Sequence, residues 1–179
     1  MSRKTQTHGR GYCGIGVQKI KTPANVGTLW RSAVCFGADF AFTVGRRYNR
    51  EPADTVASYR HLPMWHFADT EDFLAHMPYD CQLVGVELHP HARALETFQH
   101  PEHAIYILGP EDGNLSEQIV EHCQHLVRVN TAYCLNVAVC GSIVLYDRIM
   151  KRSGWESWNG EHLLRCARCN AEARTTSPG

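Results

Sequence analysis

Apolar residues fall along this chain in short clusters separated by stretches of helical spacing. Strand-length clusters run from Cys13 to Ile20, Phe40 to Gly45, Met64 to Phe67, Gln82 to Glu87, Ile105 to Leu108 and Leu126 to Val129. Between them, apolar positions three and four apart predict helices over Val26 to Phe36, Asp54 to His61, Thr70 to His76 and Ser116 to His125, and a long one from Leu135 to Met150. Gly37 suits the end of the first helix, and Ser116 suits an N-cap. Strands and helices alternating in this way predict an α/β fold with a largely parallel sheet. The longest apolar run, Leu135 to Tyr146, is interrupted by Gly141 and Ser142 and falls short of the roughly 20 residues a membrane span needs. It reads as a buried helix, and no membrane partner is expected.

The chain has 179 residues, which suits one domain over residues 1–150. After Met150 the composition turns polar, so residues 151–179 read as an extension, partly disordered, carrying the single CxxC. Met1 to Gln6 shows basic residues with no apolar core behind them, so no export signal is expected. Eight cysteines in such a chain are expected to be reduced thiols of a cytoplasmic protein rather than a disulfide scaffold.

Net charge is zero, but it is unevenly distributed. Residues 1–50 carry nine basic groups against Asp39, a balance of +8, while residues 51–125 carry two arginines against thirteen acids, a balance of −11. A neutral chain can therefore present a basic face to a polyanion, unless folding intermixes the charges. Arg46, Arg47 and Arg50 around Tyr48 are the first candidates for contact with such a polyanion, the ring offering a stacking surface should it be a nucleic acid such as RNA.

Three short segments carry candidate chemistry. Asn25-Val26-Gly27-Thr28-Leu29-Trp30-Arg31 opens a predicted helix, whose first turn exposes unpaired N–H groups suited to an anion. Gly109-Pro110-Glu111-Asp112-Gly113 directly follows the apolar run Ala104 to Leu108, placing a glycine-bounded turn at the C-terminal end of a strand, where open α/β sheets bind ligands. Cys134-Leu135-Asn136-Val137-Ala138-Val139 begins the long helix; a polar Asn136 there is either a structural cap or a site residue. Each segment alone also fits an ordinary cap or turn. Their order over more than a hundred residues is what gives them weight.

Together these segments resemble the SpoU-type branch of the SPOUT RNA methyltransferases, over roughly residues 12 to 150. The resemblance implies a parallel six-stranded sheet with helices on both faces and a C-terminal trefoil knot, an exception to the rule against knots. It implies a homodimer that transfers a methyl group from S-adenosylmethionine to a ribose 2′-hydroxyl of tRNA or rRNA, tRNA being favoured because the chain is similar to the minimal members. By position, Asn25 and Arg31 look like the first-motif pair, Glu111 like the second-motif acid that orients them, and Asn136, with Cys134 beside it, like the third-motif residues. The cofactor is expected near Leu108, Gly109, Gly113, Val129 and Leu135, with Glu87 on the same rim, and Arg31 is expected to reach the partner's site. Two departures stand out. Cys134 replaces the serine many relatives have, and Val129-Asn130 stands where they have Ile-Pro. A thiol is a weaker hydrogen-bonding group than a hydroxyl, which keeps two alternatives open: an RNA-binding protein that keeps the fold without catalysis, and a base methyltransferase.

Other constellations carry less. Cys166 and Cys169 form one CxxC with no second pair close by, so no metal is expected, the alternatives being four thiolates pooled by two protomers or help from His162. His89 and His91, and His122 and His125, read as surface histidines among eleven. Gly11-Tyr12-Cys13-Gly14-Ile15-Gly16 precedes a strand, whereas a dinucleotide-binding glycine motif follows one.

Overall fold

The structure, a computed structural model, describes residues 11–48 and 52–152. Arg50 and the cysteines and histidine of the C-terminal extension lie outside the described residues.

The strands are β1 (Tyr12–Gln18), β2 (Phe40–Val44), β3 (Met64–Phe67), β4 (Gln82–Val86), β5 (Arg93–Ala94), β6 (His103–Leu108) and β7 (His125–Arg128). The helices are α1 (Pro23–Cys35), α2 (Thr70–Ala75), α3 (Glu117–His122) and α4 (Val137–Arg152). All seven strands pair in parallel, in the order β3-β2-β1-β6-β4-β7-β5. None of the described helices is long and apolar enough to cross a membrane.

Each face of the sheet is covered by two helices. Ile15, Val17, Tyr106 and Leu108 pack with Val26, Leu29 and Trp30 of α1 and Ala138, Val144 and Leu145 of α4. Phe40, Phe42, Ile105 and Ile107 pack with Phe73 of α2 and Ile119 of α3 on the other face. Burial on both faces is why the central strands read as unbroken apolar runs. In β1 the second face is glycine because the neighbouring strand fills the space: a Cβ on Gly14 would lie 2.1 Å from the Phe40 ring, and one on Gly16 2.5 Å from Phe42. Helices α1 and α4 lie close together, Gly141 facing Leu29 and the Ser142 hydroxyl donating to the Ser32 hydroxyl at 2.7 Å.

The structure corrects the sequence reading in three places. The sheet has seven strands, not six, because β5, two residues long, pairs with β7. The predicted helix from Asp54 to His61 is only a 3-10 turn over Ser58–Arg60. The Asp54 carboxylate takes the Ser58 N–H and hydroxyl, and Ala57 has φ of 51°, left-handed backbone that a helix cannot pass through. Finally, α3 ends at His122, and His125 opens β7 instead of closing the helix.

Candidate functional site

The strands β1, β6, β4 and β7 are consecutive in the sheet, so the segments leaving their C-terminal ends converge. From β1 the chain turns through Lys19, whose φ is 51°, into Thr22 and then Pro23, which takes the first helical position of α1. Asn25 thus stands in the first turn of α1. Its Nδ2 donates to Glu111 Oε1 at 2.6 Å, and its Oδ1 accepts from Asn136 Nδ2 at 2.8 Å. Residues 86 and 111 positions apart therefore form one hydrogen-bonded row, Asn136 to Asn25 to Glu111.

Backbone donors hold both ends of that row. Glu111 also accepts the N–H groups of Lys21 at 3.0 Å and Thr22 at 3.3 Å. Partial burial opposes its charge, but the Lys21 N–H, with Asn25 and Thr22, outweighs this and holds its carboxyl below the usual carboxylate range. Asn136 Oδ1 accepts the N–H groups of Ala138 at 2.9 Å and Val139 at 3.3 Å, so the same side chain caps α4. Asn136 is thus the structural cap, and its amide nitrogen also joins it to Asn25.

Beside the row lies a cleft of about 170 Å³. Its walls include Glu87, Leu108, Gly109, Gly113, Val129 and Leu135, together with Glu111 and Cys134. Close packing of the chain makes Gly109 necessary: a Cβ there would meet the Leu115 nitrogen at 2.9 Å and Glu87 Oε2 at 3.2 Å. Glu87 is a fastener as well as a wall, accepting the N–H groups of Leu88 and Leu115, each at 2.9 Å. Cys134 borders the cleft and stands outside the hydrogen-bonded row.

Arg31 is placed elsewhere. It lies on the exposed side of α1, does not line the cleft, and makes no hydrogen bond or ion pair among the described residues. Arg46 and Arg47 are exposed just beyond β2; Arg46 Nη1 donates to the Lys21 carbonyl at 3.5 Å, and its guanidinium lies 5.6 Å from the centre of the Tyr48 ring. Sequence reasoning missed Lys21 and Thr22, which act through backbone, and Leu88, Arg128 and Thr131, which also line the cleft. Position at or just past the ends of β4 and β7 was the signal available for these three.

The polar row and the cleft lie together at the C-terminal rim of a parallel α/β sheet. The chain belongs to the SpoU rRNA Methylase family, whose model matches residues 14–146. No curated protein matches it. Among solved structures, the AdoMet-bound rRNA methyltransferase of Sinorhizobium meliloti is similar at 23% identity and TM-score 0.69, covering 78% of this chain and 56% of that one. The A. aeolicus TrmH/SpoU tRNA modifying enzyme matches at 15% identity and TM-score 0.72, covering 95% of this chain and 93% of that one. A structure concerned with the 2-OH methylation of C/U34 on tRNA matches at 17% identity and TM-score 0.67, covering 80% and 97%. This chain thus spans little more than half the length of the Sinorhizobium protein and nearly all of the two tRNA-related ones.

Proposed function

We propose that the chain is an S-adenosylmethionine-dependent methyltransferase acting on a ribose 2′-hydroxyl of RNA, with tRNA favoured over rRNA. The observation that carries this reading is the row Asn136–Asn25–Glu111 drawn together beside the cleft, in a chain of the SpoU family. The fold likeness to the two tRNA-related structures extends over 93% and 97% of those chains, which supports tRNA. The reading further includes a trefoil knot through the C-terminal half, a methyltransferase domain over residues 1–150, and a cytoplasmic location.

S-adenosylmethionine supplies an electrophilic methyl group on a sulfonium. Leu108, Gly109, Gly113, Val129 and Leu135 would hold it, with Glu87 and Cys134 on the rim. Glu111 fixes Asn25, and Asn25 and Asn136 present amide groups that orient the attacking ribose; positioning of this kind supplies several kcal/mol of barrier reduction. Arg31 is assigned to the developing alkoxide and its neighbouring phosphate, because a guanidinium with a pKa above about 12 is better suited to stabilise charge than to remove a proton.

That role requires a second copy, since Arg31 lies outside the cleft of its own chain. We propose that the homodimer forms through α1 and α4, where Val139, Tyr146 and Met150 are exposed apolar residues of α4 and Arg31 and Cys35 are exposed on α1. The test is incubation of purified protein and labelled S-adenosylmethionine with total tRNA and with rRNA. Label in linkages that resist alkaline hydrolysis is expected, strongest in tRNA; absence of incorporation in both would end the reading.

A further inference from the structure

The loop that carries Glu111 is fastened to the start of α1 in two ways. The Lys21 and Thr22 N–H groups hold the Glu111 carboxylate. Separately, the Lys21 ammonium pairs with the next acid, Asp112, at 2.5 Å. The backbone bonds set the position of Glu111 without help from the ammonium. The ion pair, with side chains 66% and 60% exposed, is held only loosely, as such pairs contribute little in water.

Lys21 also stands at the head of a basic rim. Its carbonyl takes Arg46 Nη1, the Tyr48 hydroxyl donates to the Ile20 carbonyl, and the Lys19 side chain runs against Gly45. The Tyr48 hydroxyl feels the charges of both Arg46 and Glu111, so the rim reaches the candidate site. Arg46 and Arg47 are exposed with Lys19 and Lys21. Asp112 is an exposed acid whose carboxylate holds the Lys21 ammonium, an anion on a cation as a phosphate would be.

We propose that Lys21 is a substrate-positioning residue held in reserve by Asp112: when RNA docks, a backbone phosphate displaces the Asp112 carboxylate from the Lys21 ammonium. The proposal rests on the RNA-methyltransferase reading and adds to it a contact that the backbone-held Glu111 leaves free to move. The exchange keeps charge balanced, an anion replacing an anion, and it rejects non-anionic surfaces because they offer nothing in return for the broken pair.

Binding of a short oligouridylate to the full chain, followed by fluorescence anisotropy, tests it. Asp112→Asn should tighten binding about two- to five-fold at low salt, and the gain should shrink by at least half in a Lys21→Gln background. Lys21→Gln alone should weaken binding and reduce the steepness of log affinity against log salt by about 0.7, the share of one single-strand phosphate, with Lys21→Arg restoring it. In methyl transfer, Asp112→Asn should lower the RNA KM. Equal gains in both backgrounds, or a fall in kcat with RNA affinity unchanged, would overturn the proposal and make the pair a loop staple. If the couplings appear but the wild-type chain transfers no methyl group, the methyltransferase reading fails and the latch stands.

Discussion

Asn136 performs two tasks with opposite ends of one amide, and two substitutions separate them. Asn136→Ala removes the oxygen that receives the Ala138 and Val139 N–H groups, and loss of such a cap costs about 1 kcal/mol. In a domain of this size that is a fall in Tm of about 2–4 °C. Asn136→Asp keeps the cap, and its negative charge suits the positive end of α4, so Tm should stay at the wild-type value or rise slightly. What it lacks is the donor to Asn25 Oδ1. Asn25 offers one carbonyl and one amide group, and with an acid on either side one carboxylate always faces its Oδ1. The row is exposed, so water takes up the freed Oδ1 at little cost in stability, while loss of its positioning should lower methyl transfer about tenfold to hundredfold, about 1.4–2.7 kcal/mol of barrier. Thermal unfolding and initial rates on the same preparations decide the matter. If Asn136→Asp is destabilised as much as Asn136→Ala, or keeps wild-type transfer, the division of labour is wrong.

Mixing Arg31→Ala protein with Asn25→Ala protein, after unfolding and refolding together, should recover transfer, because a mixed dimer rebuilds one intact site; no recovery would place Arg31 in the site of its own chain. Gly109→Ala should weaken S-adenosylhomocysteine binding in calorimetry and lower Tm, since the added carbon meets the Leu115 nitrogen at 2.9 Å; unchanged binding would show that this wall does not hold the cofactor. Buried His100 hydrogen-bonds Tyr106 Oη through Nδ1 at 2.6 Å and Asp147 through Nε2 at 2.8 Å, and burial, against the pull of Asp147, lowers its pKa to about 4. Between that value and about 6.5 the unfolded chain holds more protons, so stability should fall as pH drops through this window, by at most about 3 kcal/mol. His100→Gln should flatten that part of a Tm-against-pH curve, and an unaltered slope would show that His100 is not its source.

Much of the site was legible in the sequence because its side chains are polar groups standing at the ends of apolar runs. Glu111 follows Leu108 too closely to be anything but a residue at a strand end, and Asn136 is a polar head on an apolar helix. What the row does with them was not legible, since two of the three bonds to the Glu111 carboxylate come from the Lys21 and Thr22 backbone, and an N–H group carries no residue type. The two residues of β5 form no hydrophobic cluster and owe their pairing to β7. The spacing from Asp54 to His61 did suggest a helix, but local hydrogen bonds from Asp54 compete with it, which periodicity does not weigh. Arg31 illustrates a different limit: Asn25, six residues before it, joins the hydrogen-bonded row, yet Arg31 is exposed on α1 and does not line the cleft.

The most direct test of the central claim, that Asn25, Glu111 and Asn136 gather beside a methyl-donor site, is a crystal structure of the full chain with S-adenosylhomocysteine. The account predicts the ligand's adenine between Leu108–Gly109 and Val129–Leu135, the sulfur facing the Asn136–Asn25–Glu111 row, and Arg31 of a second copy at the rim. A ligand bound on another surface, or a row broken apart in the complex, would contradict it.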